Sequence, residues 1–223
     1  MMRKKRGYKR DTPKELYRDY KLFAIACEGG KREPEYFSVF EQMSKRIKVD
    51  IIEDKIRNEE LGYETKSAPN WVLDRAIKYI EKEGLIDEDD LWFILDVDRW
   101  EIDQIRRIAN YCDDNPNWHI VLSNPCFEVW LYFHKKSTIS QELASSCKQL
   151  KQALATLAKG GYSPITFIVH LEEAISNAKN QDENSDHFLP IIGTTKLYQL
   201  GTALLQTVGT KTFEEFILSI NQT

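Results

Sequence analysis

The chain alternates between short apolar runs and longer stretches in which apolar residues return every three or four positions. The runs are Tyr20–Ala26 (YKLFAIA), Val49–Ile52, Leu91–Leu95 (LWFIL) and Trp118–Ser123 (WHIVLS). Short runs of this kind, rich in aromatic and branched residues, predict buried strands over 20–27, 49–52, 91–96 and 118–123. Between them, Tyr36, Phe37, Phe40, Met43 and Ile47 share one helical face and predict a helix over 33–47. Ser67 and Pro69 open a second helix whose stripe is Val72, Ala76, Tyr79 and Ile80, and Gly84 ends it. Ile102, Ile105, Ala109 and Cys112 give a third, and the polar stretch 58–66 reads as turn. Strands that alternate with helices predict an α/β fold built on a parallel or mostly parallel sheet.

After about residue 137 the strand pattern stops. Ile139, Leu143, Cys147, Leu150, Leu154 and Leu157 predict one long amphipathic helix halted by Gly160-Gly161. Further helices are expected over 166–178, 194–208 and 213–220, with a polar loop over 180–186. The organisation expected is a flexible basic arm (1–19), an α/β domain (20–137) and a helical C-terminal region (138–223), the last packed on the sheet or presented to a partner.

Composition narrows the function. A chain of 223 residues, 42% hydrophobic, can bury one sizeable core. No apolar run approaches 18 residues, which excludes a transmembrane helix, and no apolar segment follows the charged N-terminus as a secretion signal would. Cys27, Cys112, Cys126 and Cys147 fall at no zinc-finger spacing, so reduced, buried thiols in a cytoplasmic protein are expected. The net charge of −4 is unevenly spread: residues 1–20 carry +5 and the remainder −9. Arg3, Lys4, Lys5, Arg6, Lys9 and Arg10 form a basic arm that is either a nucleic-acid contact or a solvated terminus.

The candidate chemistry lies at strand ends. Glu28 follows the first strand and is itself followed by Gly29-Gly30, which would let backbone approach a phosphate; Asp96 and Asp98 close the third strand. Residues i and i+2 on a strand share a face, so Asp96 and Asp98 converge. Carboxylates at the carboxyl ends of strands in an open α/β sheet lie where ligands collect, and a hard divalent cation, Mg²⁺ or Mn²⁺, is a common compensator, a helix cap or surface turn being the other reading of the Asp96-x-Asp98 pair. Glu28 is a further ligand or a general acid/base. His134 reads as a helix-end histidine facing the C-terminal dipole, and Trp92, Trp118 and Trp130 as packing residues. Cys126 reads as a structural thiol rather than a nucleophile. The chain has no G-x-x-x-x-G-K-[ST] motif.

Three segments together resemble RloB-like proteins: Cys27–Phe37 (CEGGKREPEYF), Trp92–Asp98 and Ser123–Leu131 (SNPCFEVWL). The likeness is clear over about 20–135 and fades through Pro190–Leu200 to Leu204. It implies a Toprim-like fold, a role in antiphage abortive infection and an AAA/ABC-type ATPase partner. On that resemblance Glu28 is the acid/base residue, Asp96 and Asp98 bind Mg²⁺, and Glu128 is a further ligand or positioning residue. Metal-dependent cleavage of a phosphodiester in RNA, tRNA or DNA is the implied reaction, with Lys31, Arg32 and Arg99 as candidate phosphate contacts. A non-cleaving adaptor on the same fold is the main alternative. A strand-transfer enzyme fits less well, because it would need a breakage or zinc-binding module outside this core.

Overall fold

The computed structural model describes residues 18–52, 68–98, 100–158 and 161–221. Five strands form one sheet: β1 (Lys21–Cys27), β2 (Ile47–Ile51), β3 (Asp90–Asp96), β4 (Trp118–Asn124) and β5 (Thr194–Thr195), in the order β2-β1-β3-β4-β5. The first four are parallel and β5 runs antiparallel to β4. The fold is thus α/β, a mostly parallel sheet flanked by helices. β1 and β3 are covered on both faces, which is why their sequences are nearly continuous apolar runs rather than alternating ones.

Alternate residues feed two cores. Phe23, Ile25, Trp92, Ile94 and Val121 face α1 (Arg32–Ser38), the 3₁₀ turn after it (Val39–Gln42) and α4 (Glu128–Phe133). Ala24, Ala26, Leu91, Phe93, Leu95 and Leu122 face α2 (Pro69–Glu83) and α3 (Ile102–Cys112). From β1 the chain steps outward to β2, then crosses back past β1 to β3. The gap between the carboxyl ends of β1 and β3 is therefore the point where the winding direction reverses, the place an open α/β sheet leaves for a ligand.

The C-terminal helices lie on the α1 face. They are α5 (Gln141–Ala144), α6 (Cys147–Leu157), α7 (Pro164–Ile168), α8 (Leu171–Gln181), α9 (Tyr198–Val208) and α10 (Thr210–Ile220). Leu150, Leu154, Phe167, Leu171, Leu200, Leu204 and Phe213 join the same core as Trp130 and Phe127. Among the described residues no helix is long and apolar enough to cross a membrane.

Four elements differ from the periodicity reading. The helix expected over 33–47 ends at Ser38 and continues only as the 3₁₀ turn, because Ile47 pairs with Lys21 and is needed, buried, in β2. The long helix expected over 139–157 is broken into α5 and α6. Ser140 and Ser146 each accept a backbone N–H, from Leu143 and Gln149, and so start a helix where the apolar stripe alone would have run through one. The helix expected over 166–178 is likewise two, α7 and α8. Thr194 and Thr195, expected as helix, form the edge strand β5, held by a 2.8 Å hydroxyl contact between Thr195 and Ser123. The polar stretch 58–66 and the arm 1–17 lie outside the described residues.

Helices α1 and α4 are tied together by a buried polar pair. His134, the residue that ends α4, has Nδ1 2.9 Å from the Trp130 carbonyl oxygen, which can only accept, so Nδ1 carries the proton. Its Nε2 then accepts from the Tyr36 hydroxyl at 2.8 Å. Tyr36 and Trp130 pack edge-on against this ring. The histidine does cap a helix end as expected, but not as a cation on the dipole: burial holds it neutral, with its pKa pushed down to about 3.

The sign of the resulting pH dependence follows. The unfolded chain protonates this histidine near its ordinary value of 6.5 while the folded chain resists until about 3. Stability is therefore complete above 6.5 and falls as pH drops through that window, by about 1.4 kcal/mol per unit from this group. Urea unfolding at pH 7.5 and 5.0 should show a loss in the parent protein that is smaller in His134→Gln. The variant should also be less stable at pH 7.5 by about 1–3 kcal/mol, because one side-chain amide does not reproduce both ring contacts, to the Tyr36 hydroxyl and to the Trp130 carbonyl.

Candidate functional site

Glu28 is the first residue beyond β1, its N–H still bonded to the Ile94 carbonyl across the sheet. Asp96 is the last residue of β3, and Asp98 follows two positions on, its N–H directed to the Pro125 carbonyl. Beyond β4 the chain passes through the cis Asn124–Pro125 peptide and Cys126 to Glu128, the first residue of α4. Glu33 lies in the first turn of α1. These five carboxylates line one cleft of about 350 Å³ with Gly29, Gly30, Arg32, Cys126, Cys147 and Lys151.

Each carboxylate is held by a different neighbour. Trp100 donates its indole N–H to Glu28 Oε2 at 2.8 Å, fixing that side chain from the α3 side. Asp96 Oδ1 accepts the Phe127 N–H at 2.8 Å, which links the end of β3 to the approach to α4. Glu128 is buried and takes an ion pair from Arg32 at 2.5 Å, with Lys151 at 3.8 Å. Glu33 is 8% exposed and its carboxylate presses on Gly29, where a Cβ would collide with it. The glycine is required there for that close approach; around Gly30 the space is open.

Burial and crowding of like charge together set the electrostatics, burial being the larger. Burial, reinforced by Glu28, Glu33, Glu128 and Asp98, holds the Asp96 carboxyl well above its ordinary range. Burial also raises Glu33 to about 7, with Glu128 and Glu28 adding to the shift and Lys151 opposing it. Groups of like charge at this spacing cannot all ionise without a compensating cation. Among the described residues, no three His, Cys, Asp or Glu side chains stand close enough to grip a metal as they are. The carboxylates ring the cleft rather than meeting at one point.

Of the residues singled out in the sequence, Glu28, Asp96, Asp98 and Glu128 are brought together here. Lys31 precedes α1, is exposed and does not line the cleft, whereas its neighbour Arg32 does. Arg99, and the arm residues Arg3, Lys4, Lys5, Arg6, Lys9 and Arg10, lie outside the described residues. Three site residues had gone unassigned. Glu33 occupies the same helical stripe as Tyr36, Phe37 and Phe40, and a carboxylate on a buried face was its signal. Lys151 carries no local signal, and Trp100 only its place in the Arg99-Trp100-Glu101 segment just after Asp98.

The cysteines correct another expectation. Cys126 and Cys147 are joined as a disulfide with Cα atoms 6.0 Å apart, while Cys27 and Cys112 are free and buried. The bond staples the start of α6 to the turn before α4. It also leaves Cys147 Sγ 3.1 Å from Asp98 Oδ2; a bonded sulfur has no proton to donate, so this is a packing contact.

The model for the RloB-like protein family matches residues 23–204, most of the chain and all of the cleft residues. The chain belongs to the RloB-like family. No curated protein and no solved structure matches it. Family membership covers both the sheet that supplies Glu28, Asp96 and Asp98 and the helices that supply Glu33, Glu128 and Lys151.

Two measurements probe this arrangement. Asp96→Asn keeps the acceptor for the Phe127 N–H and removes a repelled charge, so in EDTA its melting temperature should rise by about 2–4 °C, the shift for ~1 kcal/mol in a chain of this size. Thiol titration of denatured, unreduced protein should count two cysteines, Cys27 and Cys112, and four after reduction.

Proposed function

We propose that this RloB-like protein is a metal-dependent nuclease of Toprim type, an effector of antiphage abortive infection controlled by an AAA/ABC-type ATPase. The observation that carries the reading is the ring of acidic residues at the β1/β3 switch point, where burial, and after it four neighbouring carboxylates, raise Asp96. Such a site is destabilising for its own fold and is relieved by a cation. The donor set, all carboxylate oxygen, suits Mg²⁺ or Mn²⁺. Mg²⁺ keeps several of its waters and needs only one or two protein ligands, so a loose ring fits it better than a tight cage would. Asp96 and Asp98 would hold the ion, with Glu128 as a further ligand. The defence role and the ATPase partner rest on the family resemblance, and the absence of a P-loop motif means ATP hydrolysis of that kind belongs to the partner.

When bound, the cation supplies Lewis acidity toward a phosphate oxygen. The remaining chemistry belongs to the chain. Glu28 takes the proton of the attacking water as its oxygen bonds to phosphorus and returns it to the leaving sugar oxygen as that ester bond breaks, and the Trp100 N–H fixes its orientation. Phe127 fixes Asp96 through its backbone. Arg32 is placed to meet a phosphate oxygen from the α1 side.

One observation favours the alternative, an adaptor that binds nucleic acid or the ATPase without cutting. Glu128 is already paired with Arg32, and among the described residues no three potential ligands are gathered at one point. A cleavage assay decides. The parent protein and Glu28→Gln are incubated with tRNA, single-stranded RNA, and single- and double-stranded DNA, with Mg²⁺ or Mn²⁺ or EDTA, with and without the ATPase. The expected result is metal-dependent cutting reduced by about 10²–10⁴-fold in Glu28→Gln, the range for a lost general acid/base. Equal cutting by both proteins removes Glu28 from the chemistry, and no cutting in any condition leaves the adaptor.

A further inference from the structure

We propose that Lys151, on α6, is a phosphate-binding residue of the cleft and works as a pair with Arg32. The inference rests on the reading of the cleft as a site for a nucleic-acid phosphodiester.

The sequence places Lys151 on a helix far from every motif, and the fold brings it to the mouth of the site. Cys147, Lys151 and Leu154 lie at i, i+4 and i+7 and share one face of α6. Leu154 is buried in the core, Cys147 is bonded to Cys126 at the rim of the cleft, and Lys151 is thereby aimed at Glu128. Two independent anchors therefore fix the direction of the lysine.

The two cations are held unequally. Arg32 and Lys151 both face Glu128, and Lys151 also acts on the Glu33 carboxylate. Arg32 makes the short contact; Lys151 stands 3.8 Å away with its side chain about half exposed. An ammonium in that position is solvated, adjustable and only loosely held by Glu128. Both cations also line a second, smaller cavity of about 50 Å³ beside the cleft, with Leu154, Ala155 and Tyr162. The two groups thus form a wall between the carboxylates and an adjoining hollow. Tyr162 holds Arg32 in that wall: its hydroxyl donates to the Arg32 carbonyl at 3.0 Å and the guanidinium lies 5.5 Å over its ring. A cationic wall beside a carboxylate ring matches a phosphate, whose anionic oxygens need the cations on one side while a metal ion serves the other.

The test is binding rather than turnover. With Glu28→Gln as the parent background, so that nothing is cut, a fluorescein-labelled single-stranded oligonucleotide, as RNA and as DNA, is titrated in Mg²⁺ over a series of salt concentrations, with anisotropy as the readout. Lys151→Ala should bind about five- to tenfold more weakly at low salt, and the slope of log affinity against log salt should fall by about one. Lys151→Arg should restore both. Lys148→Ala, an exposed lysine one turn back that does not line the cleft, should match the parent. If the parent binds and Lys151→Ala keeps the parent's affinity and slope, Lys151 only balances Glu128 and the inference fails alone. If the parent binds neither oligonucleotide, the nucleic-acid reading of the cleft fails and takes the inference with it.

Discussion

The rest of this molecule is organised around one unfavourable interaction, the mutual repulsion of carboxylates at the ends of β1 and β3. Parallel strands deliver their carboxyl ends to the same edge, and the reversal of winding between β1 and β3 leaves a gap there. Glu28 and Asp96 enter that gap from adjacent strands, so their separation is set by sheet spacing and not by preference. The surrounding polypeptide supplies donors one at a time: the Trp100 indole, the Phe127 amide and the Arg32 guanidinium. None of these cancels the charge, and burial, with the neighbouring carboxylates adding to it, keeps the Asp96 and Glu33 carboxyls raised.

Holding such a site together requires rigid supports. Glu33 and Glu128 sit on separate helices, α1 and α4, and the registry between those helices is fixed by aromatic packing around the Tyr36–His134 pair. A buried neutral histidine with one nitrogen donating and the other accepting is directional in a way that the surrounding Phe and Trp contacts are not. It sets which face each helix turns to the cleft. The Cys126–Cys147 bond does the same for α6, and Leu150 and Leu154 then bury that helix against the core.

The C-terminal helices accordingly do more than cover the sheet. They share the core with Phe23, Ile25 and Trp130, and one of them places a lysine and a sulfur at the rim of the cleft. A buried ion pair between Lys196 and Asp182, extended by the Tyr198 hydroxyl on the same carboxylate, pins the loop before β5. That loop lets the edge strand return beside β4.

Much of this could be read before the fold was known, because parts of it are local. Strands buried on both faces must be continuous apolar runs, so β1 and β3 were visible in the pattern, as was β4 through its shorter apolar stretch. Acids placed immediately after such runs had to lie at one edge of a parallel sheet, so Glu28, Asp96 and Asp98 were visible as well. Helix ends were less legible: Ser140 and Ser146 stop and restart a helix through single side-chain bonds, which an apolar stripe does not register. Thr194-Thr195 is a strand only because β4 has a free edge beside it. The same limit governs the site. The sequence by itself determined which carboxylates share an edge, since that follows from alternation and strand direction within short segments. Only the tertiary structure decided that Glu33, Trp100, Lys151 and the Cys126–Cys147 bond meet them there, because those contacts depend on how helices pack across the sheet, and packing is a property of distant residues acting together.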